Sequence, residues 1–138
     1  MAFSDIFDEL GTAERVSLLG QAESLQYESG TLIVTQGEPN EAIFIVYDGE
    51  VHVEVTNDEG QTRRLATLEL GEIFGEVSFL TGEPATANVI AEGDVKVMRI
   101  GHALIRTVVK DDSAFAGRLF HSIAVTLAQR LDRTNNQL

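Results

Sequence analysis

Residues 71–89 read GEIFGEVSFLTGEPATANV and interrupt a series of strand-like segments with a short apolar piece of helical character. A helix beginning near Glu76 would turn the backbone N–H groups of residues 77–79 toward one point, an arrangement that suits an anion. Gly75 lets a ligand approach the backbone closely, and the Glu76 carboxylate can accept hydrogen bonds from neighbouring hydroxyls. This stretch therefore predicts a small ligand site formed by a loop and a short helix.

The segments around this stretch are typical of a β-sandwich or barrel. Most of the nine glycines between residues 30 and 101 recur every 7 to 12 residues, the spacing of turns between short strands. The strand-like runs are TLIV (31–34), AIFIVY (42–47), VHVEV (51–55), RRLATL (63–68), ANVIA (87–91) and VKVMRI (95–100). Asp48-Gly49 is a turn signal between two of them. AIFIVY is apolar throughout, which predicts burial on both faces.

Helical patterns stand at both ends of the chain. Residues 4–22 predict two short helices, and residues 102–109 and 114–134 predict two more. The last one carries apolar residues four positions apart, which form a broad stripe: Phe115, Leu119, Ile123, Leu127 and Leu131. Such a stripe can pack the helix on its own domain, pair it with a second copy, or do both. These readings remain open from the pattern alone.

Charge and composition exclude several classes of protein. The chain of 138 residues has 22 acidic and 10 basic residues, a net charge of −12, and no cysteine. An acidic surface repels nucleic-acid phosphate, and without cysteine there is no disulfide framework and no thiol catalysis. No apolar run approaches the roughly 20 residues of a membrane helix, and the acidic N-terminus is unlike a signal peptide. We therefore expect a soluble cytoplasmic protein that contacts neither nucleic acid nor membrane.

The chain resembles the cyclic nucleotide-binding domain family along nearly its whole length. The resemblance is carried by GTLIV (30–34), QGEP (36–39), FIV (44–46), DGEV (48–51), FGE (74–76) and TANV (86–89), together with the final two helices. It implies a mainly β fold, an eight-stranded antiparallel jelly-roll barrel with flanking helices. The whole chain, 1–138, would form one domain, with N-terminal helices at 1–23, the β-roll at 24–101 and two C-terminal helices at 102–138.

The resemblance also implies where a ligand binds. Residues 74–88 would be the phosphate-binding cassette of the family, in which Glu76 takes the ribose 2′-hydroxyl. The ligand-binding residues implied are Phe74, Gly75, Glu76, Val77, Ser78, Ala85, Thr86 and Ala87. The last helix would cover the pocket or pair with a second copy through Leu119, Ile123, Leu127 and Leu131. A cyclic nucleotide would be the ligand, and no resident cofactor or metal is implied.

One position departs from the family pattern. Members that bind cyclic nucleotides usually carry an arginine directly after the position of Pro84, and this chain has Ala85 there. A bidentate arginine is the natural partner of a buried phosphate, and such a charged hydrogen bond contributes about 1.5–3 kcal/mol. Residues 65–95 hold six acids and no base, and the nearest bases, Arg63 and Arg64, are predicted to lie on a strand and not at the pocket. This departure predicts weak binding of cyclic AMP and cyclic GMP.

Two alternatives follow from the same residues. A metal enzyme on a jelly roll needs clustered histidines, whereas the three histidines here are far apart in sequence, and the chain has neither an H-E-x-x-H nor a G-x-S-x-G motif. We therefore expect a non-catalytic regulatory module that signals to an effector protein through its C-terminal helices, as a homodimer. The competing hypothesis is a dimerization or interaction scaffold that keeps the fold without a nucleotide.

Overall fold

The structure, a computed structural model, describes residues 20–136, and the side chains up to Arg133. The helices expected within residues 1–23 lie outside the described residues as far as residue 19, whereas residues 20–22 form a turn and no helix, and Glu23 begins the first strand. The described elements follow in chain order: β1 (Glu23–Tyr27), β2 (Leu32–Val34), β3 (Ala42–Thr56), β4 (Thr62–Leu68), β5 (Ile73–Phe74), α1 (Glu76–Thr81), β6 (Asn88–Gly101), α2 (His102–Asp111) and α3 (Ser113–Asn136).

All the strand pairings in this part of the chain are antiparallel, and two long strands organise them. β3 and β6 lie side by side at the centre, with β1 on the far side of β6 and β4 on the far side of β3. β2 also pairs with β6, and β5 pairs with β3 next to the start of α1. The cassette helix is thus attached to the central strand through the two residues of β5.

The described strands number six where eight were expected, and a closed eight-stranded barrel is not confirmed. The separate strands predicted at 42–47 and 51–55 are one strand, and so are those at 87–91 and 95–100. Gly49 has a φ of 83°, and a Cβ there would lie 2.4 Å from the carbonyl oxygen of Asp94. Because glycine fits this close approach, the pairing of β3 with β6 shifts register around Asp48 and continues.

The core lies on both faces of β3, as the apolar run at 42–47 predicts. Ile43 and Ile45 lie on the face that packs against the helices. Phe44 and Val46 lie on the opposite face, among apolar side chains of the other strands. α3 packs onto the first of these faces with Phe115, Leu119 and Ile123, each about 1% exposed. Full burial of such a side chain contributes about 1.5–3 kcal/mol, so this contact fixes which side of α3 faces the sheet.

The architecture is mainly β with flanking helices, as the sequence indicates. The two C-terminal helices occupy His102–Asp111 and Ser113–Asn136, close to the ranges 102–109 and 114–134 expected from periodicity. Among the helices of residues 20–136, none combines the length and the apolar character that a membrane crossing requires.

Candidate ligand site between the cassette and the last helix

A cavity of about 360 Å³ opens between the cassette, the strands behind it and α3. Its floor is apolar and comes from β-strand residues such as Val53, Leu68 and Val89. One wall is the cassette, and the opposite wall is the part of α3 that carries Leu127, Arg130 and Arg133. We call this space the ligand cavity.

Two glycines determine the shape of the cassette helix. Gly75 precedes α1 with a φ of 92°, and Gly82 follows it with a φ of 72° and donates its N–H to the carbonyl oxygen of Ser78. A Cβ on Gly75 would lie 2.3 Å from the carbonyl oxygen of Ala42, whereas a Cβ on Gly82 would meet nothing within 4 Å. Of the two glycines that flank α1, Gly75 alone is required by both its dihedral angle and its neighbours.

Glu76 is the buried acid of the cavity wall, with 3% of its surface exposed. Arg130 of α3 donates from Nη1 to Oε1 of Glu76 at 2.6 Å and from Nη2 to the carbonyl oxygen of Ile73. Burial raises the pKa of Glu76, while the Arg130 guanidinium and the residue's own backbone N–H oppose that rise. The cavity therefore holds an ion pair that joins the cassette to the last helix.

A second ion pair lies beside the first and closer to solvent. Arg133 Nη2 is 3.1 Å from Oε1 of Glu72, and the Arg133 side chain is 58% exposed. Residues 130 and 133 are three positions apart, so they project from the same side of α3. The end of α3 is thereby held at both Glu76 and Glu72, although the exposed pair contributes less.

The structure brings the expected cassette residues together. The ligand cavity is lined by every residue of the set Phe74, Gly75, Glu76, Val77, Ser78, Ala85, Thr86 and Ala87. Phe74 also stacks on Phe44, with ring centroids 4.8 Å apart, which anchors the beginning of the cassette in the core. Ala85 is 9% exposed. It belongs to the buried apolar cluster that contains Phe44 and Phe74, which we call the inner apolar cluster.

The expected α3 residues divide into three environments. Leu127 lines the ligand cavity, and Leu131 is 63% exposed. Leu119 and Ile123 are about 1% exposed and belong to the core of the chain itself, whereas their expected role in a lid or a dimer surface stays a prediction. The physical reason for their burial is that β3 and α2 offer these two side chains an apolar surface within the same molecule.

The positive charge of the cavity comes from α3 and not from β4. Arg64 points away from the cavity toward Glu92, with 3.3 Å between Nη1 and Oε1, and its side chain is 52% exposed. Arg130 and Arg133 line the cavity instead. A signal for them exists in the sequence, because both lie on the side of α3 that continues the stripe of Leu127. Arg130 and Arg133 lie outside residues 65–95, so the charge of that segment gives no indication of them.

The remaining polar groups give no sign of a metal centre. No group of three or more histidine, cysteine or acidic side chains in residues 20–133 is arranged to hold a metal ion. The chemistry of the cavity within these residues is hydrogen bonding and charge pairing, through Glu76, Arg130 and Arg133 on an apolar floor. This arrangement suits binding of a small polar molecule.

Comparison with known proteins identifies the class to which this fold and cavity belong. The family described as cyclic nucleotide-binding domain matches residues 24–112, and the chain belongs to that family. Over 96 residues, 70% of this chain, it is 38% identical to a cAMP-dependent protein kinase regulatory subunit of Yarrowia lipolytica. Over all 138 residues it is 24% identical to a CRP-like cAMP-activated global transcriptional regulator of Mycobacterium tuberculosis.

A solved structure supports the same fold. The catabolite activator protein of Thermus thermophilus superposes with a TM-score of 0.82 at 28% identity, covering 97% of this chain and 61% of that one. This chain spans about 25% of the Yarrowia regulatory subunit and 60% of the mycobacterial regulator. It is therefore similar to a part of each of these longer regulatory proteins.

Proposed function

We propose that this chain is a non-catalytic regulatory domain that senses a small ligand in the ligand cavity and signals through its C-terminal helices. The observation that carries the proposal is the bond from Arg130 to Glu76, because it connects the cassette directly to α3. A molecule that takes Glu76 must change what Arg130 contacts. Ligand binding and the position of α3 are then coupled.

The proposed ligand carries adjacent hydroxyl groups and an anionic group, as cyclic AMP and cyclic GMP do. Glu76 would accept from the hydroxyls, and Arg130 would turn from Glu76 to the anion. The arrangement supports this assignment because Arg130 and Ala85 line the same cavity. Without an arginine at position 85, the anion lacks one bidentate partner, so we expect affinity roughly 10- to 100-fold below that of a pocket with that arginine.

The signal would leave the domain through α3. In the structure, Arg130 and Arg133 hold this helix to the Ile73 carbonyl, Glu76 and Glu72. A ligand that separates Arg130 from Glu76 releases one of these attachments and favours another position of the helix. An effector protein, or a further part of a longer chain, would read that change in the cytoplasm.

We infer a homodimer that pairs through the outward face of α3. Since Leu119 and Ile123 are in the core, the surface left for a second copy is the opposite side of the helix: Gly117, Phe120, Ala124, Ala128 and Leu131. In light scattering, Leu131→Glu should convert a dimer into a monomer that remains folded. Ile123→Glu should instead lower stability, because it buries a charge. A monomer in the unmodified protein would contradict the dimer.

The finer organisation belongs to the same proposal. We take residues 1–138 as one domain in which the β-roll of residues 24–101 closes into an eight-stranded barrel, counting each half of β3 and of β6 separately. The positive φ angles of Gly49 and Gly93, near the middle of the two long strands, support this division. The cassette would extend over residues 74–88.

A scaffold that has lost its ligand is the second candidate. Two observations favour it, namely the burial of Ala85 in the apolar cluster and the fact that Glu76 already has a partner in Arg130. Titration calorimetry with cyclic AMP and cyclic GMP separates the two candidates. Micromolar to submillimolar binding that is lost in Glu76→Ala supports the sensor, and absence of heat with both nucleotides at millimolar concentration supports the scaffold.

A further inference from the structure

His102, the first residue of α2, contacts the cassette from behind, outside the ligand cavity. It is 3% exposed, and its Nε2 lies 3.3 Å from the carbonyl oxygen of Gly75. The side-chain amide of Asn40 lies 3.4 Å from the same oxygen and donates to the carbonyl oxygen of Ala42 at 2.9 Å. Because a carbonyl oxygen only accepts, Nε2 must carry the proton for its bond to form.

The orientation of this carbonyl determines the orientation of the next amide. In a planar trans peptide, the carbonyl of Gly75 and the N–H of Glu76 point in opposite directions. The carbonyl is turned toward His102, so the N–H of Glu76 is turned away from His102. Burial raises the pKa of the Glu76 carboxyl, and a hydrogen bond from the residue's own backbone N–H opposes that rise. A group that holds the carbonyl therefore also helps to hold the carboxylate.

We propose that His102 is a positioning residue, which fixes the Gly75–Glu76 peptide through its Nε2–H and so holds the Glu76 carboxylate in place for Arg130. His102 also lies against the cassette helix at Phe79, with 5.3 Å between ring centroids, and Phe79 in turn lies 5.9 Å from the ring of Phe120 on α3. His102 at the beginning of α2 therefore contacts the cassette at two places, the Gly75 carbonyl and the Phe79 ring, and each lies beside a contact between the cassette and α3.

The surroundings keep His102 neutral near neutral pH. Burial lowers its pKa, and the Arg106 guanidinium of α2 lowers it further, whereas the carbonyl oxygens and Glu41 oppose that change. Glu83 and Arg99 lie across an open groove that His102 also lines. A neutral imidazole has one N–H, so the proposal requires the tautomer with the proton on Nε2.

The first test uses the unmodified protein without ligand. Nitrogen NMR of the imidazole at pH 7.5 should show His102 as the Nε2–H tautomer. The Nδ1–H tautomer would overturn the proposal, because Nε2 would then have no proton to donate to Gly75. This measurement does not depend on whether any variant folds.

The second test compares His102→Leu with His102→Gln by amide hydrogen exchange and amide chemical shifts. Loss of one hydrogen bond, about 1 kcal/mol, should speed exchange at the Glu76 amide roughly 5-fold in His102→Leu and shift its resonance. His102→Gln keeps an N–H donor and should stay within about 2-fold of the wild type. Unchanged exchange and shift in folded His102→Leu, or equal changes in both variants, would overturn the positioning role.

The positioning role of His102 rests on the proposed function in one respect, namely that the Glu76 carboxylate binds a ligand. Both tests are made on ligand-free protein and report on the peptide itself. Failure of cyclic AMP to bind would therefore contradict the proposed sensor function, and the tautomer and exchange results for His102 would still hold. A wrong tautomer would overturn the role of His102 and leave nucleotide binding open to its own titration.

Discussion

The two ends of the cassette differ in the chemical groups that they present to the cavity. At the first end, Gly75 and Glu76 present a constrained backbone and a buried carboxylate. At the other end, Ala85 presents only a methyl group, 9% exposed, among the apolar residues of the inner cluster. The first end supplies a carboxylate that can accept hydrogen bonds, whereas Ala85 at the other end supplies no charge.

The difference shows where the positive charge of the cavity comes from. It is carried by Arg130 and Arg133 on α3 rather than by the cassette. In the proposed function, the helix that would bind the anion is also the helix that would pass the signal on. Recognition and response would then use one contact, the bond between Arg130 and Glu76.

The largest effect should come from the backbone at the first end of the cassette. Gly75→Ala combines a left-handed conformation, about 1–2 kcal/mol, with a clash against the carbonyl oxygen of Ala42, about 1–3 kcal/mol. Gly82→Ala is the matched control, since it has the positive φ without the clash. Urea unfolding should show Gly75→Ala to be clearly the more destabilised, and equal losses would mean that the close approach to Ala42 has no cost.

The next effect concerns the ion pair that joins the two walls of the cavity. Glu76→Gln and Arg130→Gln should each lower the free energy of unfolding by about 1.5–3 kcal/mol, and the double variant by less than the sum, because the partners are largely buried. The exposed pair of Glu72 and Arg133 is the control and should give at most about 1 kcal/mol. Additive losses at Glu76 and Arg130 would contradict the coupling between cassette and α3.

The smallest effect is a change in how stability depends on pH. Burial lowers the pKa of His102 below its ordinary value of 6.5, so the unfolded chain binds this proton first as the pH falls. Stability contributed by the neutral imidazole is present above pH 6.5 and is lost as the pH falls through 6.5 toward the lower folded pKa. Urea midpoints at pH 7.5 and 5.5 should therefore differ less in His102→Gln than in the wild type. The same pH difference in both proteins would refute this contribution.

The parts of the fold that the sequence predicts are those with strong local signals. Gly75 and Gly82 delimit α1, so the expected start near Glu76 is confirmed. The unbroken apolar run at 42–47 correctly indicates burial on both faces of β3. β1 was not predicted, because ESLQY has little apolar character, and β5 was missed because two residues give no periodicity.

The parts that escaped prediction depend on how distant segments meet. A stripe four residues apart shows which side of α3 is apolar, but not whether that side packs on its own chain, as Leu119 and Ile123 do. Arg130 and Glu76 are 54 residues apart, and they meet only because the packing of Leu119 and Ile123 sets the rotation of α3. The contact most important to the proposed function is therefore a consequence of core packing.

One titration tests most directly whether the cavity is a nucleotide site in which the arginine usual at position 85 is missing. Calorimetry with cyclic AMP should show that Ala85→Arg binds roughly 10- to 100-fold more tightly than the wild type, since the arginine adds a charge-assisted contact to the anion. Leu80→Arg, which adds the same charge at an exposed cassette position outside the cavity, should leave the affinity within about 2-fold of the wild type. Unchanged affinity in Ala85→Arg, or an equal gain in Leu80→Arg, would contradict the assignment of the ligand cavity.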